Sequence, residues 1–236
     1  RDEIFDRAAE LTFRVLLAFF PFLVFLMALI GFLELESEPI FFALYFVLPD
    51  EISELVENFV YEISKTRNTG ILSAALFFSV YNTTNGFRAV IRGTNRAYGI
   101  EQRRGFFSQV ALSFLLMIIF SGALILMLAL LFFGGAAQIF FALVILFFFT
   151  SFIYKLACEK KLPAKHIFPG AIFTVCAWLL ISFLFGIFTR NFSRLPMIYG
   201  SIAGVFLLVL WLNAVGITLL IGNEINAMLR EFTKKI

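Results

Sequence analysis

The sequence predicts an all-α, polytopic membrane protein: six transmembrane helices, with an amphipathic helix on the outer side between the first span and the second. Three observations carry that prediction. Hydrophobic residues make up 61% of the 236 residues and charged residues 15%, where a soluble domain carries about 25% charge. Five stretches are apolar over the roughly 20 residues that a helix needs to cross a hydrocarbon core. The basic residues are strongly biased to one side of the resulting topology. Low charge with high hydrophobicity excludes a disordered chain. It also leaves 35 charged residues to coat a soluble globule of this size, which is too few.

The spans follow in chain order. The first covers about residues 11–33 and contains Pro21, which should kink it. The second covers about 70–92; it is apolar to Tyr81 and then polar through Asn82, Thr83, Thr84 and Asn85. The third covers about 106–133 and ends at Gly134-Gly135, and the fourth covers about 136–154. The fifth covers about 167–189 and the sixth about 200–221. All are expected to be helical, because backbone polar groups in lipid must be satisfied inside the element. Together they form a single integral membrane domain over residues 1–236. Arg1 to Glu10 is charged and leads straight into a full-length span, which does not read as a cleaved signal peptide.

An even number of spans puts both termini on one side, and charge selects the side. Placing the termini inside leaves only Lys65, Arg67, Arg190 and Arg194 outside, so 15 of the 19 Lys and Arg are cytoplasmic. The positive-inside rule therefore favours cytoplasmic termini. Separately, the outer segment 34–69 is acidic, with Glu34, Glu36, Glu38, Asp50, Glu51, Glu54, Glu57 and Glu62. Within it, Ile40 to Leu48 is apolar but too short to span. From Asp50 to Lys65, Ile52, Leu55, Val56, Phe59, Val60 and Ile63 recur at helical spacing and form one apolar face. Asp50 after Pro49 is a suitable N-cap. The opposite face is acidic rather than basic, which favours packing over the outer mouth of the bundle, as a structural cap or as a lid.

Span two holds the most informative side chains. Tyr81, Asn85, Arg88, Arg92 and Arg96 fall within roughly 80° of arc on one helix face. That face runs from aromatic and amide to cationic, the chemistry that attracts an anionic headgroup or solute. The competing reading is that these arginines snorkel to lipid phosphates at the inner interface. Gly86, Ala89, Gly93 and Ala97 form a small-residue stripe beside them and admit a close helix neighbour. In span one, Glu10 and Arg14 are spaced for an i, i+4 ion pair. Gly200 and Gly204 open span six with a GxxxG step for helix packing, and Glu224 near its inner end is a candidate ion-pair or gating partner for the span-two arginines.

No catalytic set emerges. Cys158 and Cys176 have no metal-ligand spacing, and His166 is the only histidine. A Gly-rich phosphate loop with Lys is absent, as is a nucleotide-binding domain, so neither a cofactor nor a metal is expected.

Several motifs resemble the YihY/BrkB family of bacterial inner-membrane proteins. They are Phe20-Pro21; Asn95-Arg-Ala-Tyr-Gly99 followed by Glu101, Arg103, Arg104 and Phe106; Pro196; Tyr199-Gly200-Ser201; Leu210-Trp211-Leu212; and Gly222, Glu224 and Asn226. They lie in order along nearly the whole chain. Asn223 departs from the usual small residue before the Glu, and Glu10 and Arg14 are more polar than the family pattern. The resemblance implies a six-helix protein of the bacterial inner membrane whose activity is unsettled. The family once carried a ribonuclease BN label, against which this sequence argues: one histidine cannot supply a metallo-nuclease site. The expectation is a non-enzymatic transporter or flippase-like protein for an amphipathic or anionic envelope molecule. The alternative is a non-transporting scaffold or envelope assembly partner. The expected partners are membrane lipids, a lipid-like or anionic substrate, and no nucleic acid; small-residue faces are compatible with a homo-oligomer.

Overall fold

The computed structural model describes residues 2–32, 52–54, 56–58, 61, 69–100, 104–130, 135–159, 162–191 and 201–235. Among these, every regular element is helical. The long helices are α1 (Asp2–Phe32), α2 (Thr69–Ala97), α3 (Phe106–Ala129), α4 (Gly135–Ala157), α5 (Phe168–Asn191) and α6 (Ser201–Lys235), and a 3-10 turn at Ala164–His166 precedes α5. Five of them are long and apolar enough to cross a membrane: α1, α3, α4, α5 and α6. The remaining helix, α2, is 29 residues long. It is the polar stretch that sequence singled out as the weakest span. Pro21 lies inside α1, which continues through it.

Contacts between named residues give the packing. Helix α1 lies antiparallel to α2, since Gly86 faces Ala18 while Arg92 reaches Glu10. It is also antiparallel to α6, through Gly216 against Leu11 and Asn213 against Thr12. Helix α6 in turn packs antiparallel on α5. Thus α1 and α6 are central, with 39% of their spans buried, against 22% in α3 and α4 and 17% in α5. The outward faces of α3 to α5 carry exposed Phe107, Phe140, Phe148 and Phe183, the surface expected of helices whose solvent is lipid.

The abundant phenylalanine has one interior role. Phe120 on α3 meets Phe22 of α1 at 5.2 Å, Phe149 of α4 at 5.1 Å and Phe87 of α2 at 6.2 Å between ring centroids. Four helices are therefore tied through one ring, at separations where aromatic pairs attract. At the end of the bundle away from Glu10, Ile52 and Val56 are fully buried against Leu23, Leu208 and Leu212, while Glu54 and Asn58 are exposed. Leu55, Phe59, Val60 and Ile63, the rest of the expected apolar face, lie outside the described residues, as do Ile40 to Leu48 and the acidic residues 34–51.

Candidate functional site

The site is built on the seam between α1 and α2. Gly86 makes the seam possible. A Cβ placed there would be 3.4 Å from the Ala18 Cβ and 3.9 Å from the Arg14 carbonyl oxygen, so the two backbones approach closely. About two turns along, Gly93 lies against Leu220, where a Cβ would be 2.8 Å from the Leu220 Cδ2. The expected small-residue stripe thus brings α2 against both α1 and α6.

Beside that stripe stand the arginines. Glu10 Oε1 accepts from Arg14 Nε at 3.0 Å, the expected i, i+4 pair, and from Arg92 Nη2 at 3.3 Å. Arg88 donates to the Asn85 side-chain oxygen at 3.4 Å, and its guanidinium lies 4.9 Å from the centroid of the Phe106 ring. That is cation–π range. The buried Nε of Arg88 has no partner. Arg14 and Arg88 are both near enough to Arg92 to repel it, and Glu10 attracts it. Two guanidiniums, those of Arg14 and Arg92, therefore share the Glu10 carboxylate, with Arg88 close by. A cavity of about 10 Å³, room for about one water, is lined by Glu10, Leu11, Ala89, Arg92, Gly93, Arg96 and Leu220. Arg96 is exposed at its edge.

Not every expected residue joins this group. Tyr81 is 60% exposed and stands apart from the arginines, one turn before Asn85 on α2. Glu224 is half-buried and neighbours Tyr98, just beyond the end of α2. Gly204 is half-buried near the start of α6, and Gly200 lies outside the described residues.

A second polar assembly, at the same end of the bundle, was not expected. The Tyr154 hydroxyl of α4 donates to the Leu219 carbonyl at 2.8 Å and lies 2.7 Å from Thr174 Oγ1. The Gly170 N–H donates to Asn226 Oδ1 at 2.7 Å, and Trp178 Nε1 donates to the Val215 carbonyl at 3.1 Å. Helix α2 ends in a Schellman turn: Gly99 takes φ 59°, Ile100 N–H donates to the Asn95 carbonyl and Gly99 N–H to that of Arg96, each at 2.9 Å. The freed Asn95 side chain accepts from the Glu159 N–H at 2.9 Å. Arg104 donates to the carbonyls of Leu156 and Cys158, which end α4. Burial pushes the Tyr98 phenol above its usual pKa, and the neighbouring Cys158 adds to the effect. Buried Asn223 finds no partner for either amide atom, and the Nδ2 atoms of Asn95 and Asn226 also lack one. A single tyrosine or threonine in an apolar run carries no periodic signal, so sequence reasoning had nothing with which to find Tyr154 or Thr174. Among the described residues, no three of His, Cys, Asp and Glu are grouped so as to hold a metal ion.

This chain belongs to the virulence factor BrkB family, whose profile matches residues 1–235. It is 30% identical to the protein of Bacillus subtilis (strain 168) that carries the name ribonuclease-like protein YfkH, over 97% of this chain and 91% of that one. It is 28% identical to a UPF0761 membrane protein of Psychrobacter sp. (strain PRwf-1), over 98% of this chain but 47% of that longer relative. A UPF0761 membrane protein of Xanthomonas oryzae is 25% identical over 34% of this chain and 19% of its own length. No solved structure matches the chain. The protein is therefore a multi-pass membrane protein of this family, as its motifs suggested. Of those motifs, Asn95, Gly99, Arg104, Gly222 and Asn226 all serve the helix ends and close contacts at one end of the bundle.

Proposed function

We propose that this member of the BrkB family is a non-enzymatic, six-span transporter or flippase-like protein of the bacterial inner membrane, acting on an amphipathic anionic envelope molecule. The observation that carries the proposal is the seam of Arg14, Arg88 and Arg92 on α1 and α2, where the Glu10 carboxylate bridges Arg14 and Arg92. Guanidinium groups recognise phosphate and carboxylate by paired hydrogen bonds. Set between apolar helices and only partly buried, they offer an anion a cationic face.

Several features support six spans. Helix α2 is about 43 Å long at 1.5 Å per residue, enough to cross. It packs against α1, α3 and α6 rather than standing apart. The bias of basic residues supports cytoplasmic termini. The buried Ile52 and Val56 support an amphipathic helix that covers the outer end of the bundle.

The test is reconstitution in liposomes containing a fluorescent phosphatidylglycerol, with lipid movement read by dithionite quenching. Wild type moves the lipid, and Arg92→Ala slows it by about tenfold, the loss of one charge-assisted contact. Wild-type vesicles indistinguishable from empty ones would sink the reading. A scaffold or assembly partner is the second reading, favoured by a seam cavity of only about 10 Å³, room for about one water. It predicts wild-type protein without lipid movement that co-purifies with a stable partner. The ribonuclease-like name of the Bacillus relative raises a third activity; purified protein is expected to leave RNA intact in the presence of divalent metal.

A further inference from the structure

The seam holds its own anion. Glu10 Oε1 touches Arg14 at 3.0 Å and Arg92 at 3.3 Å, bridging two helices with one carboxylate oxygen. Its side chain is 44% exposed, and that of Arg92 is 24% exposed. The bridge therefore lies at the surface end of the seam and not in a sealed interior. Arg14 and Arg92 both contact Glu10, Arg88 lies close enough to Arg92 to repel it, and Arg96 is exposed on the next turn. Arg88 keeps a buried Nε without an acceptor. Any anion that takes Arg92 in the bidentate manner of a phosphate must share or displace its bond to Glu10.

We infer that Glu10 is a resident counter-ion that occupies the place of a phosphate ester at Arg92, and that a phosphate-bearing headgroup binds the seam by displacing it. The inference rests on the proposed reading of the seam as the place where the transported anion is held. It assigns the class of ligand, a phosphate mono- or diester, and gives Glu10 the role of a competitor. The carboxylate offsets part of the seam's charge while the seam is empty of ligand and weakens ligand binding by the same amount. An acidic residue in an anion site ordinarily marks a position whose loss harms the protein. Here its loss should improve binding.

The experiment titrates short-chain phosphatidylglycerol into the full chain in detergent, followed by native mass spectrometry. Inorganic phosphate and short-chain phosphatidylcholine are run as separate probes. Glu10→Gln, which keeps the shape and removes the charge, is expected to bind phosphatidylglycerol about three- to fivefold more tightly than wild type, the equivalent of one partly exposed ion pair. Glu10→Ala should show the same gain and guards against a defect peculiar to glutamine. Arg92→Gln should bind about tenfold more weakly. A gain confined to phosphatidylglycerol identifies a lipid headgroup, and an equal gain with inorganic phosphate identifies the free anion. Equal or weaker binding by both Glu10 variants, with Arg92→Gln weakened, overturns the counter-ion role and leaves the seam as the site. Equal binding by all variants overturns the inference and the seam together. Binding differences as expected with no lipid movement in liposomes keep this inference and remove the transport reading.

Discussion

Gly222 lies where α4, α5 and α6 meet. A Cβ there would be 2.5 Å from the Tyr154 hydroxyl and 2.8 Å from the Gly170 carbonyl oxygen, and it would collide with Thr174 Oγ1. All three neighbours are held in place, the hydroxyls by hydrogen bonds and the carbonyl by its helix, so none can yield cheaply. Gly222→Ala is therefore expected to destabilise the protein by about 1–3 kcal/mol, the range for overpacking a filled core. A thermal melt in detergent followed by size exclusion should show a lowered midpoint. Tyr154→Phe at the same junction keeps the ring and removes only the hydroxyl that bridges Leu219 and Thr174. Its cost should be smaller, about 1 kcal/mol. A Tyr154→Phe loss equal to that of Gly222→Ala would mean that the hydroxyl, and not the space around it, governs the junction. The seam follows different rules, because Glu10 and Arg92 are partly exposed and their pair adds little to stability. Substitutions there should alter ligand binding with little change in melting.

At the scale of elements, the end of α4 depends on a residue from another segment. Helix α4 stops at Ala157, and its last carbonyls, those of Leu156 and Cys158 beyond it, are met by the Arg104 guanidinium at 3.1 and 3.4 Å. A cation at a helix C-terminus satisfies orphan carbonyls and offsets the helix dipole. Arg104→Ala should loosen that turn, raising amide exchange at 155–159 by about tenfold while leaving the middle of α4 unchanged. Uniform exchange along α4 in the variant would remove the capping role. The same element shows what sequence could and could not reveal. Arg104 was legible as one of the basic residues gathered on one side of the expected topology, because side bias is a property of composition. Its partners, 52 and 54 residues away, were invisible, because they depend on where α3 begins relative to where α4 ends. The Glu10–Arg14 pair was legible from i, i+4 spacing alone, whereas its extension to Arg92 requires the register between α1 and α2. The polarity of α2 and its small-residue stripe were legible for the same reason as the pair: both are periodic along one helix.

For the whole molecule, the issue is whether the α1–α2 seam opens. Helix α1 makes its most extensive packing with α2, and the seam runs past Gly86 to the Glu10–Arg92 bridge. A path for an anion along the arginines requires α2 to move away from α1, since the cavity beside them admits about one water. A scaffold requires no such movement. The geometry at Gly86 allows the two to be separated. A Cβ built there lies 3.4 Å from the Ala18 Cβ, just under the spacing, about 3.5–4.5 Å, that a disulfide bridges, so a slight parting of the helices accommodates the bond. In a background lacking Cys158 and Cys176, Ala18→Cys with Gly86→Cys should cross-link under mild oxidation and join α1 to α2 at mid-seam. Lipid movement should then fall to the level of empty vesicles and return on reduction, while either single cysteine variant stays active. The cross-link does not touch Arg92 or Glu10, so phosphatidylglycerol binding in detergent should survive it at least in part. Full activity with the bond formed would show that transport does not require the seam to part, and the path would then have to lie elsewhere in the bundle.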